Sequence, residues 1–99
     1  MSAPLFPLGR LVATRGARDT GLTLAQFLGL VARHARGEWG HIDPEDFAIN
    51  RIAVSEGDRI LSAYPIDPAK PCAGYGENCL WIITEADRSV TTILLPDEY

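Results

Sequence analysis

Apolar positions recur with two periods along this chain. From Leu24 to Ala35 they return every three or four residues, as on one face of a helix; from Ile60 onward they alternate or run together, as in strands. The densest β signal is Leu80–Leu95. It is β-branched, aromatic or aliphatic on both sides of Glu85-Ala86-Asp87-Arg88. Symmetric closure of that hairpin pairs Thr84 with Ser89, Ile83 with Val90, Ile82 with Thr91 and Trp81 with Thr92. Trp81, Ile83, Val90, Thr92 and Leu94 then share one face, and Leu80, Ile82, Thr84, Ser89, Thr91 and Ile93 the other. Apolar residues on both faces place the hairpin centrally in a sheet.

The remaining elements follow in order. Residues 1–7 read as an extended, proline-containing lead-in, Gly9–Thr14 as a short strand at a sheet edge, and Arg15–Gly21 as a loop. Thr23 and Gln26 form a capping box that opens a helix, with Leu22 and Phe27 at the staple positions. Leu24, Phe27, Leu28, Val31 and Ala35 make its expected buried stripe. Arg33, His34 and Arg36 lie in its last turn, where positive charge suits the helix dipole, and Gly37 ends it. Trp39, between Glu38 and Gly40, either plugs the core or presents itself to a partner. Asp43-Pro44-Glu45-Asp46 opens a second helix: a cap, a proline at the first position and acids at the positive end. Its expected inner stripe is Ala48, Ile49, Ile52 and Ala53, and Gly57 ends it. Arg59–Ile66 is a strand with Pro65 at its end. Asp67–Asn78 is a long hairpin tip carrying Tyr75 and both cysteines.

The expected fold is therefore α+β and a single domain over residues 1–99. A short N-terminal strand and two helices precede a C-terminal three-stranded antiparallel sheet, with the helices on one sheet face. If the face bearing Leu80, Ile82 and Ile93 were left open, its apolar area would favour a homodimer.

Charge divides the chain. Residues 1–36 hold five arginines against Asp19, and residues 37–99 hold twelve acids against Arg51, Arg59, Lys70 and Arg88, for a net charge of −4. This balance argues against direct nucleic-acid binding and suits a protein partner with a basic surface. No run reaches the length of a membrane span, and the first residues lack the basic start and apolar core of a secretory signal, so a cytoplasmic protein is expected. Cys72 and Cys79 read as free thiols or as a disulfide across their loop.

No phosphate loop, zinc spacing or nucleophile elbow is present, so neither cofactor nor metal is expected. His34 borders the apolar stripe, which suits a half-buried, locally bonded histidine or a catalytic one. Arg88, Ser89 and Thr91 are either turn and strand residues or a polar patch able to grip an anion or a partner's main chain. The expected binding surface comprises Glu38, Trp39, Asp43, Glu45, Tyr75 and Arg88.

Two resemblances extend this reading. Leu11-Val12-Ala13-Thr14, Ala32-Arg33-His34, Gly37-Glu38-Trp39-Gly40, Asp43-Pro44-Glu45-Asp46, Ile60-Leu61-Ser62-Ala63-Tyr64 and Trp81–Pro96 resemble a family of small bacterial proteins carried on plasmids and integrative elements, described as plasmid-related. The resemblance implies an accessory protein of a mobile element and no particular activity. Such a protein would dock on another and block a host defence complex, as small acidic anti-CRISPR proteins do. The order of helices with a histidine, then arginine-bearing strands, then a last strand with Ser/Thr is similar to the barnase–EndoU–colicin–RelE ribonucleases. That likeness implies a ribonuclease toxin with His34 as general acid–base, Arg59 or Arg88 on the phosphate, and Thr91 or Thr92 orienting it.

Overall fold

The computed structural model describes residues 3–99; Met1 and Ser2, the start of the expected lead-in, lie outside them. The described residues form an α+β fold with three helices and a four-stranded mixed sheet. The strands are β1 (Arg10–Ala13), β2 (Ile60–Pro65), β3 (Cys79–Thr84) and β4 (Val90–Leu94), in the spatial order β1-β4-β3-β2. This corrects the expected three-stranded antiparallel sheet. β1 joins it as a fourth strand, parallel to β4, with Arg10 beside Val90 and Ala13 beside Ile93. A four-residue strand with three apolar residues does not announce its partner. The tertiary contact that seats it is Gly9, which has φ 64° and lies so close to Arg88 and Ser89 that a Cβ would stand 2.4 Å from their backbone.

The β3–β4 hairpin is shifted from symmetric closure. Thr84 pairs with Thr91, Ile83 with Thr92, Ile82 with Ile93 and Trp81 with Leu94. The cause is local: the Arg88 amide closes a turn on the Glu85 carbonyl, Arg88 then takes a left-handed φ of 59°, and Ser89 is left over as a bulge. The slip is two residues, so the faces are as expected.

The helices are α1 (Arg15–Arg18), α2 (Leu24–Ala35) and α3 (Pro44–Glu56). α1 replaces the expected loop. The Thr14 hydroxyl accepts from the Ala17 amide at 3.2 Å, while Glu98 of the C-terminal 3₁₀ turn accepts from Thr14 and from the Gly16 amide. The α2 capping box of Thr23 and Gln26 is present. α2 buries Phe27, Val31, His34 and Ala35; Leu24 and Leu28, expected inside, are exposed. The helix is rotated so that His34 meets the hydroxyl-bearing part of the sheet. α3 is rotated similarly. Asn50 and Ala53 are buried, whereas Ile49 and Ile52 are 54% and 60% exposed, against the expected stripe. The reason is Asn50, whose amide group bonds both the amide (3.2 Å) and the carbonyl (2.7 Å) of Leu61 on the edge of β2. Two hydrogen bonds that satisfy a strand edge outweigh an apolar stripe with nothing to cover it.

One core cluster joins Ala17, Phe27 and Val31 to Tyr64, Leu80, Ile82 and Ile93. Leu80, Ile82 and Ile93 are thus the centre of the core, beneath the helices. A second cluster joins Phe6, Trp39, Ala53 and Ile60. Trp39 is the plug: it is 2% exposed, packs edge-on against Phe47 and donates to the His34 carbonyl. Across the opposite sheet face lies the C-terminus, where Tyr99 packs on Trp81 and Arg59 stacks on Tyr99. Among the described residues, no helix is long and apolar enough to cross a membrane.

Candidate functional site

Two groups of polar residues invite a chemical reading. The first is built around His34. Its place near the end of α2 points the imidazole at β2 and β3, where Ser62 and Thr84 stand on the covered face. Nδ1 meets Ser62 Oγ at 2.5 Å and Nε2 meets Thr84 Oγ1 at 2.9 Å. Thr84 Oγ1 lies 2.7 Å from Thr91 Oγ1, and the Thr91 hydroxyl donates to the Leu8 carbonyl at 2.7 Å. Each hydroxyl has one proton, so this last bond sets the direction of the chain. Thr84 therefore donates to Thr91, and His34 donates from Nε2 to Thr84. Burial disfavours the charged ring, so at neutral pH its one proton is on Nε2 and Nδ1 accepts from Ser62. Burial alone lowers its pKa from 6.5 to about 4.

This seam is sealed. His34, Ser62, Thr84 and Thr91 are all fully buried. Phe6 closes it edge-on against the imidazole, held there by the Leu5 amide on the Ala35 carbonyl and by Leu8 on Thr91. His34 and Thr91 do come together, through Thr84, but with neither a cleft nor an arginine. Arg88 donates to the carbonyls of Asp58 (2.6 Å), Ala53 (2.9 Å) and Glu85 (3.3 Å), which caps the C-terminal end of α3. Its guanidinium touches Phe6, not His34. Arg59 stacks on Tyr99 at 5.0 Å, on the opposite sheet face. Thr92 faces away from the helices.

The second group is open. Asp43 and Asp46, at the start of α3, line a groove of about 200 Å³ with Ile42, Leu61, Ala73, Gly74, Tyr75 and Trp81. Asp43 is the N-cap by backbone geometry, yet its carboxylate makes no capping bond. Asn78 shapes the opposite wall. Its amide group bonds Asp67, Lys70 and Pro71 and folds the 67–78 loop back on itself. The Gly74 carbonyl takes the Trp81 indole N–H at 2.7 Å, and Tyr75 is left 72% exposed. Two binding residues expected from sequence, Asp43 and Tyr75, thus meet at one groove; Glu45 is exposed nearby on α3, on the same acidic first turn as Asp46. Glu38 is exposed elsewhere, paired with Arg36 at 2.7 Å, which lowers its pKa. Trp39 offers a partner no surface. The sequence does not mark Asp46, Trp81 or the organising Asn78 as site residues. An aspartate at a helix start reads as a dipole residue and Trp81 as core, and nothing in the sequence says otherwise.

Cys72 and Cys79 are free and buried beneath the same loop; Cys79 donates to the Tyr75 carbonyl. Burial, then the neighbouring Cys72, pushes the Cys79 thiol up to about 11, so it is an inert thiol at neutral pH. Among the described residues, no three His, Cys, Asp or Glu side chains gather as a metal site. Comparison of the chain with family models, with curated proteins and with solved structures gives no significant match.

Proposed function

We propose that this chain acts by binding another protein, without catalysis, as an accessory protein of a mobile element that blocks a host defence complex. The observation that carries the reading is the contrast between sealed and open polar groups. The histidine a nuclease would need is neutral, fully bonded and walled off by Phe6. The free carboxylates stand instead around an open groove with exposed aromatic area. Carboxylates beside Tyr75 and Trp81 suit a lysine or arginine from a basic partner surface, by charge attraction and by cation–π contact. Nearby on α3, Ile49 and Ile52 add exposed apolar area of the kind that interfaces cover.

The test is paired. The wild type and an Asp43→Lys/Asp46→Lys/Tyr75→Ala variant are expressed in a bacterial host and their stably bound proteins compared, while purified wild type is incubated with total RNA. The expected result is one partner held by the wild type and lost from the variant, with the RNA intact. RNA cleavage abolished by His34→Ala, or a partner retained equally by the variant, contradicts the reading.

A further inference from the structure

We propose that the outer edge of β1 is a docking site for an acidic, extended segment of a protein partner, which adds to the sheet as a fifth strand. This surface is separate from the groove of Asp43 and Tyr75 and of opposite charge.

The two edges of the sheet are finished differently. At β2 the edge is sealed. Asn50 takes the amide and carbonyl of Leu61, and the Trp39 carbonyl and His41 amide take those of Ala63 at 3.1 and 2.7 Å. Gly40, with φ 78°, fits between them only because it lacks a Cβ, which would stand 2.1 Å from the Ala63 oxygen.

At β1 the Arg10 amide bonds the Ser89 carbonyl at 3.0 Å and the Thr14 amide bonds that of Ile93 at 2.9 Å. Backbone direction alternates along a strand, so Leu11 and Ala13 turn their amides and carbonyls away from β4. Among the described residues none of these four groups has a backbone partner on the outer side. No proline or bulge blunts this edge, and Leu11 is 41% exposed. An open edge of this kind is what strand addition uses.

Charge identifies the occupant. Arg10 opens the strand, and Arg15 and Arg18 follow its end. All three are exposed, and among the described residues none makes an ion pair. A second copy paired through β1 would bring two such sets of arginines together along one seam. A segment rich in Asp or Glu would instead meet them with opposite charge while its main chain pairs with Leu11 and Ala13.

The experiment titrates the full-length, ¹⁵N-labelled chain with the peptide acetyl-Glu-Val-Glu-Val-Glu-Val-Glu-amide and follows amide exchange. Slowed exchange at Leu11 and Ala13 is expected. So are a roughly tenfold or greater loss of affinity in the Arg10→Glu/Arg15→Glu/Arg18→Glu variant and no slowing by the lysine counterpart of the peptide. Leu11→Pro removes an outward donor without touching the ladder to β4 and is expected to abolish binding; if it does not fold, the charge-reversed variant decides. An Asp43→Lys/Asp46→Lys variant should bind this peptide undiminished, which separates this surface from the groove. Exchange at Leu11 and Ala13 unaffected by millimolar peptide overturns the proposal. So does equal slowing by the lysine peptide, by oligothymidylate, or by a concentration-dependent dimer of the chain itself.

Discussion

The interior seam and the surface groove hold similar numbers of polar side chains and treat them in opposite ways. In the seam, Ser62, His34, Thr84 and Thr91 pass single protons in one direction to the Leu8 carbonyl, and nothing is left to offer a ligand. In the groove, Asp43 stands at a helix start without using its carboxylate there, beside a tyrosine held out in solvent. The difference teaches where to look for function. A histidine among hydroxyls is chemistry only if a substrate can reach it and a lone pair is free; a buried network with every bond made specifies the fold instead.

Substitution should separate the two regions sharply. His34→Ala leaves Ser62 and Thr84 with unmade bonds and opens a cavity beside Phe6; about 4 kcal/mol of stability should be lost in urea unfolding. The seam should also report on pH. The unfolded histidine titrates near 6.5 and the folded one near 4, so between those values the unfolded chain binds the extra proton. Stability is full above pH 6.5 and falls as pH drops toward 4, by about 3 kcal/mol. In a His34→Asn background, urea unfolding against pH should lose that part of the slope.

Arg88 comes next in size. Arg88→Ala removes the bonds to Ala53, Asp58 and Glu85 while keeping a side chain in the left-handed region, and about 2 kcal/mol should be lost. Arg88→Gly forfeits the same bonds but relaxes the backbone, so it should recover a few tenths to about 1 kcal/mol relative to alanine in thermal unfolding. At the groove, Asp43→Asn or Tyr75→Ala should change stability by less than about 0.5 kcal/mol, while weakening partner affinity in a direct binding assay. A large stability loss there, or a negligible one at His34, would erase the distinction.

Much of the fold was legible because local chemistry agreed with the final structure. The Thr23–Gln26 box, Asp43-Pro44 and Gly57 at the two ends of α3 lie where their residues indicate, and the β3–β4 hairpin forms with the expected faces in a register shifted by two residues. What was not legible depended on partners distant in sequence. The rotation of α3 follows from Asn50 finding Leu61, and that of α2 from His34 finding Ser62 and Thr84. β1 needs Gly9 against the tip of a hairpin some eighty residues on. Of the candidate site, Asp43 and Tyr75 could be named, since a capping acid and a loop tyrosine are exposed by default. Their meeting at one groove could not, because Asn78 folds the loop that brings them together. Trp39 carried two readings in the sequence, and its indole bond to the His34 carbonyl shows it as core.

Nitrogen-detected NMR of the His34 ring across pH tests the central claim most directly. The expected result is one neutral form with the proton on Nε2 and Nδ1 accepting from Ser62, unchanged down to about pH 5 and protonated only near 4. A ring that titrates near its ordinary 6.5, with its N–H exchanging freely with solvent, would mean an accessible histidine and an open seam, the opposite of a sealed structural network.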